Sequence, residues 1–348
     1  MMNFCSDNVA GVAPQILAAL DAANQGASAA YGNDALTKKL DQHLAAIFER
    51  PVIAFPVATG TAANALALSV MTPPYGAVYC HDEAHIAVDE CGAPELYTGG
   101  AKLKTLPGAN GKITADTVAA ALADGRAGDV HHVQPAALSL TQATECGTVY
   151  KPAEIAAITA VTRQHGLKVH MDGARFANAV AHLNLSPAEI TWKAGVDVLS
   201  FGGTKNGALA AEIVVFFDEA LAATFAFRRK RAGHLISKMR FISAQLDTYL
   251  TDGLWLKLAR HANSMAQRLV QGLTALPGVK LLYPVEANEI FIQLPVPTVN
   301  GLREAGFDFY DWPGMPAGTI RLVTAFNTEQ PAVDQFIATA RRLNNAAA

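Results

Sequence analysis

Charge is scarce in this chain, and what there is nearly cancels. Of 348 residues, 16% are Asp, Glu, Lys or Arg, and the formal net charge is −3. No broad basic field exists to hold a nucleic acid or an anionic membrane surface, so neither is expected as a partner. Cysteine is rare as well: Cys5, Cys80, Cys91 and Cys146 stand far apart, with no C-x-x-C pair. That argues against a disulfide framework or a zinc knuckle and suits a reducing, cytoplasmic compartment. No apolar run approaches the ~20 residues of a membrane-spanning helix. The opening MMNFCSDNVAG lacks the basic-then-apolar order of a secretory signal. Two nucleotide fingerprints are missing too. There is no G-x-x-x-x-G-K-[ST], and no convincing G-x-G-x-x-G follows a strand-like run. The nearest decoy, Gly108 to Lys112, has only two residues between its glycines and reads as a turn.

Apolar residues are plentiful. Hydrophobic types make up 51% of the chain, enough for a large α/β core with an appended unit. Residues 34–49 place Leu36, Leu40, Leu44, Ile47 and Phe48 on one helical face behind Asp34, a candidate N-cap. The run VIAFPV leads through ATG into a helix beginning near Thr61, and 77–80, 102–106 and 130–140 read as strands. Thr114 caps another helix, and Pro152 opens one that Gly166 stops before the strand LKVHMD. Residues 187–194 read as helical, 196–201 as a strand, and 211–218 as a buried strand. Strands alternating with helices imply a mostly parallel central sheet with helices on both faces. Beyond about residue 250 the pattern changes to a long helix (254–275), short strands and a final helix from about 329. The expected division is a large unit, 1–250, and a smaller C-terminal α+β unit, 251–348.

Several residues carry possible chemistry. Asp172 ends a predicted parallel strand, the edge where open α/β sheets bind ligands. There it either caps the following helix or holds a cationic heteroatom. Lys205 leaves the next strand in SFGGTKNG, where it is either a surface charge or a Schiff-base amine. Taken together, one strand–helix–strand step apart, the two suit pyridoxal 5′-phosphate (PLP): a lysine for the aldehyde and a carboxylate for the pyridine nitrogen. ATGTAANA places Gly60 and Thr61 at a helix start, a site for a phosphate. His85 could act in proton transfer, or it could pair with His81 at i, i+4 in a zinc site. Zincins require H-E-x-x-H, whereas here Asp82 follows the first histidine and no third ligand is evident, so no metal is expected. Arg321 in GTIRLVTAF suits a substrate carboxylate or a structural ion pair. The cluster of Arg228, Arg229, Lys230 and Arg231 is either a solvated helix face or reaches a neighbouring subunit.

In order, the segments FCSDNVAG, AAYGNDALTKKLD, ATGTAAN, DEAHIAVDE, HMDGAR, SFGGTKNG and TIRLVTAF resemble the L-threonine aldolase family of fold-type-I PLP enzymes. The resemblance covers nearly the whole chain. It implies a PLP-dependent carbon–carbon lyase that splits threonine, allo-threonine or phenylserine into glycine and an aldehyde, working as a homo-oligomer, a dimer of dimers. It also implies roles for particular residues. Gly60 and Thr61 would meet the phosphate, His85 the ring, Asp172 its nitrogen and Arg175 its phenolic oxygen. Lys205 would carry the cofactor, and Arg229 would reach a phosphate across the interface. Ser6, Tyr31, Arg175 and Arg321 would meet the substrate. TQATE with GGTKNG resembles the low-specificity threonine or phenylserine subset. One departure stands out: Gln142 falls nearest the place where many members carry a histidine in E-N-T-H, which leaves His85, or a water it positions, as the expected base. Another fold-type-I enzyme, such as a β-eliminating amino-acid lyase, is the alternative.

Overall fold

A computed structural model describes residues 2–124 and 126–347. The local signals act where the sequence places them. Asp34 accepts a hydrogen bond from the Thr37 N–H (2.8 Å) and starts the helix Ala35–Phe48. Thr59 accepts from the Ala62 N–H (3.2 Å) at the head of Gly60–Met71, and Thr114 does the same for Ala115–Ala123. Pro152 opens Pro152–Gln164, and Glu154 reaches back to the Lys151 N–H. One expectation fails. Residues 187–194 form turns and a single 3-10 turn, Trp192–Ala194, while the helix in this region is Phe176–Leu183. Thr191 lies outside the helical region (φ −126°, ψ −109°), and its N–H and that of Lys193 both go to the Ala188 carbonyl (3.4 and 3.1 Å), so no α-helical ladder forms here.

Seven strands form the main sheet, in the spatial order Ile53–Val57, Glu212–Phe216, Val198–Gly202, Lys168–Gly173, Gln134–Thr141, Gly76–His81, Lys102–Leu106. All run the same way except Glu212–Phe216, which is antiparallel to both its neighbours. The link from Gly202 to Glu212 is too short for a helical crossover, so that strand must turn back. Alternate residues serve two cores. Leu199, Phe201, Ile213 and Val215 join one buried cluster, while Val198, Val214 and Phe216 join another. Both faces are therefore covered by helices, as the near-continuous apolar strands require.

A smaller antiparallel sheet, built on Glu289–Gln293 and Thr319–Val323, packs with the helix Gln330–Ala347 and half of Leu254–Thr274. The N-terminal residues belong to this layer. Met2 and Asn3 pair with Phe307 and Asp308, and Phe4 lies edge-on to Phe336 at 5.3 Å. This tether brings Ser6, Asp7 and Asn8 back over the C-terminal edge of the main sheet.

Candidate active site

The aligned strands deliver their carboxyl ends to one edge, and the antiparallel strand contributes its first residue, Glu212, to the same edge. Register makes this explicit: Thr141 stands opposite Asp172, while Glu212 stands opposite both Gly202 and Val57. Two adjoining cavities of about 370 Å³ and about 540 Å³ open there. They share Asn8, His85, Glu145, Arg175 and Lys205 in their walls. Thr59, Gly60, Thr61 and Asp172 line the first, and Ser6 and Arg321 line the second.

Asp172 is buried. Its Oδ2 accepts from the Asn64 amide (2.8 Å) and its Oδ1 from the Ala174 N–H (3.0 Å). Among the described residues it has no cationic partner at ion-pair distance. It does not cap the next helix, whose first turn follows Arg175. Two residues earlier on the same face, His170 lies between Ser139 and Ser200 of the flanking strands, at 2.9 Å from each hydroxyl. Burial pushes its imidazole down to about 4, so it stays neutral beneath Asp172.

Asn64 extends this arrangement. The amide that donates to Asp172 also donates to Glu90 Oε1 (2.8 Å), and the same oxygen meets His85 Nδ1 at 2.9 Å. The hydrogen bond from Glu90 raises the His85 pKa against the opposing effect of burial, and the charge of Asp172 adds to the rise. Glu145 caps the short helix that His85 opens, accepting from the His85 N–H (2.8 Å) and from the Thr141 hydroxyl (2.8 Å). Burial, with Asp172 adding to it, lifts the Glu145 carboxyl to about 7. Beneath the Lys205 turn, Glu212 accepts from the Gly203 N–H (2.8 Å), and burial raises it likewise to about 7.

A buried network of ion pairs adjoins the second cavity. Arg175 meets Asp7 through Nε (2.8 Å) and Nη2 (2.9 Å), and Glu289 through Nη1 (3.1 Å). Burial alone would raise Asp7, but Arg175, Lys205 and Asn288 together hold it below the usual carboxylate range. Arg321 gives Nη2 to the Cys5 carbonyl (3.0 Å), while its Nε is buried without a partner. Tyr310 and Trp312 flank its guanidinium at 5.5 and 5.4 Å.

A family model described as beta-eliminating lyase matches residues 3–296. The chain belongs to the beta-eliminating lyase family. Within it, the chain is 44% identical over 343 residues to the low specificity L-threonine aldolase of Pseudomonas sp. (strain NCIMB 10558), covering 99% of this chain and 98% of that one. A Pseudomonas aeruginosa protein of the same name is 44% identical, with 94% and 93% covered. The solved structure of Leishmania major threonine aldolase superposes with a TM-score of 0.93 at 30% identity, covering 99% of both chains. Sphingomonas wittichii serine palmitoyltransferase shares the fold alone, with a TM-score of 0.72 at 17% identity over 99% of this chain and 87% of that one. The expected threonine aldolase group and its fold-type-I architecture are both borne out.

In this lyase, Ser6, Gly60, Thr61, His85, Asp172, Arg175, Lys205 and Arg321 converge on the joined cavities. Three expectations need correction. Tyr31 is exposed, with Lys230 Nζ lying 4.7 Å from its ring, and does not line either cavity. Arg229 is buried against Phe55, donates through Nη1 to the Pro56 carbonyl (3.2 Å) and lines neither cavity of this chain. Gln142 is fully buried and turned away, clamping the Tyr150 backbone N–H and carbonyl (2.9 Å each), so Glu145 lines the cavities instead. The zinc alternative also loses its geometric basis. His81 ends a strand and His85 begins a helix, and both His81 nitrogens are engaged, by the Gly108 carbonyl and the Glu83 N–H. Asn64, Glu90, Glu145 and Glu212 escaped sequence reasoning. Glu90 and Glu145 lie inside the quoted segments DEAHIAVDE and TQATE, but only folding shows which carboxylates face inward.

Proposed function

We propose that this lyase is a PLP-dependent aldolase that cleaves the Cα–Cβ bond of L-threonine, L-allo-threonine and related β-hydroxy-α-amino acids to glycine and an aldehyde. The observation that carries this reading is the pairing, at one cavity, of Lys205 with a buried Asp172 that has only amide donors. A buried carboxylate in that state has room for one cationic N–H, which a protonated pyridine nitrogen would supply. The names of the relatives support the reaction.

PLP, when bound, supplies a conjugated sink for the electron pair released at Cα. Lys205 would carry it, Asp172 would hold its ring nitrogen, and Gly60 and Thr61 at the helix start would take its phosphate. His85 and Arg175 would complete its surroundings. Arg321, with its unpartnered Nε, and Ser6 beside it would fix the substrate carboxylate. Holding both the amine and the carboxylate orients the Cα–Cβ bond for cleavage. Val88, Tyr283, Trp312 and Met315 give the second cavity an apolar wall, which supports phenylserine as a substrate.

The purified protein should bind PLP with a visible absorbance band, and borohydride should fix the cofactor to Lys205 by mass spectrometry. Threonine should yield acetaldehyde and glycine. A protein unable to take up PLP refutes this function. β-Elimination, the chemistry in the family's description, is the second reading, and it would release ammonia and a keto acid instead. We also keep as proposals a cytoplasmic homo-oligomer, a dimer of dimers, and a division at 250/251. Free cysteines support the first, exposed Leu209 and Phe227 the second, and separate core clusters the third.

A further inference from the structure

The β-hydroxyl of a bound substrate needs a proton acceptor. Gln142 cannot serve, because both ends of its amide are bonded to Tyr150 away from the cavity. His85 is poorly suited, since Glu90 holds Nδ1 and favours the charged imidazolium, a donor. Glu145 stands where the two cavities join and lines both. Its Oε1 is held by the His85 N–H and the Thr141 hydroxyl, at 2.8 Å each, so the carboxyl cannot swing away. Its Oε2 is out of solvent with no hydrogen-bond partner. Among the described residues the carboxylate is therefore only partly satisfied, which disfavours its charged form.

We propose that the Glu145 carboxylate takes the β-hydroxyl proton of the substrate, a role that rests on the aldolase function proposed above. The proton passes from the hydroxyl oxygen to the carboxylate. The freed O–H pair becomes the second C–O bond of the departing aldehyde, and the Cα–Cβ pair stays with the glycine carbon. In the synthetic direction the same carboxyl returns the proton. Its surroundings suit the task. Burial and the charge of Asp172 disfavour its ionisation, the His85 N–H, the Thr141 hydroxyl and the Arg175 guanidinium favour it, and the neighbouring Cys80 and Cys146 stay neutral thiols near pH 7. A carboxyl poised at about 7 both accepts and returns a proton near neutrality.

Glu145→Gln retains an oxygen for the His85 N–H and Thr141 and removes the basic one. In the PLP-loaded variant, the melting temperature and cofactor absorbance should match wild type, and glycine should still exchange its Cα proton with solvent. The kcat for threonine cleavage should fall about 100-fold or more, with KM little changed, and the activity limb near pH 7 should vanish. Infrared titration of the cofactor-free protein in a Glu212→Gln background, which removes the other carboxyl raised to about 7, should show a protonated carboxyl that ionises near neutral pH and is missing once Glu145→Gln is added. Glu145→Asp, which keeps the charge, should recover part of the rate. A Glu145→Gln enzyme that cleaves threonine normally with its pH limb intact overturns the proposal. So does loss of glycine exchange alongside cleavage, which would assign the residue to cofactor binding. Should Glu145→Gln not fold, the infrared titration of Glu212→Gln alone decides, and no such band means no such role. A wild type that releases no aldehyde removes the aldolase function and this role together. A normal wild type beside an unimpaired Glu145→Gln removes the role alone.

Discussion

Gly202→Ala adds one methyl group where the two turns that bear the site meet. A Cβ at Gly202 would lie 2.5 Å from the Ala174 carbonyl oxygen and 2.8 Å from its Cα. Carbon–oxygen contacts settle near 3.3 Å or more, so the Asp172–Arg175 turn must retreat by about 0.8 Å or the strands must part. Backbone atoms on both sides leave no flexible side chain to absorb the shift, so a cost of about 1–3 kcal/mol is expected. The displacement falls between Asp172 and Lys205, and a misplacement of that size can cost up to about 100-fold in function. Gly60→Ala is the matched control. Nothing lies within 4 Å of its added methyl, and the residue opens a helix, where alanine is favoured over glycine by up to about 1 kcal/mol. Its methyl nevertheless enters the cavity at the proposed phosphate position. Urea unfolding should therefore separate the two variants, with Gly202→Ala weaker and Gly60→Ala equal or stronger than wild type. PLP titration should show weakened binding in both. A Gly202→Ala protein with an unchanged unfolding midpoint and unchanged PLP affinity would refute the reasoning.

Three further outcomes are expected. Asn64→Ala removes the amide that joins Glu90 to Asp172. It should lower stability by about 3 kcal/mol, since bonds to charged groups contribute about 1.5–3 kcal/mol each, and an unchanged denaturant midpoint would count against the bridge. Phe48→Ala, in a fully buried aromatic cluster with Phe176, Phe201 and Phe217, should cost about 3–5 kcal/mol. Because none of these rings lines either cavity, PLP affinity should hold, and a parallel loss would contradict the separation. Glu212 keeps its proton in the folded state up to about 7, whereas an unfolded glutamate releases it near 4.5. Its contribution is therefore present below the unfolded pKa and is lost as pH rises through the folded one, by up to about 3 kcal/mol. Glu212→Gln should match wild type near pH 4 and exceed it above pH 7, and parallel stability curves would exclude that titration.

Local chemistry made much of this protein legible without coordinates. Caps at Asp34 and Thr114 and the stop at Gly166 act through backbone groups within a few residues, so spacing suffices to place them. Thr191 shows the limit, because its backbone leaves the helical region and a helix-like stretch closes into turns.

At the site, sequence by itself determined the pairing of Asp172 with Lys205, because successive parallel strands must present their ends at one edge. It also placed Gly60 and Thr61 at a helix start on that edge, where a strand gives way to a helix. Tertiary structure alone decided which polar groups face inward. Glu145 and Gln142 lie three residues apart, yet one lines both cavities while the other clamps the Tyr150 backbone. Tyr31 and Arg229 are carried elsewhere, and residues 2–4 pack with the C-terminal layer to bring Asp7 against Arg175. Such outcomes depend on contacts between distant segments and on burial, which sets the charge of each carboxylate. Neither is encoded in the spacing of neighbours along the chain.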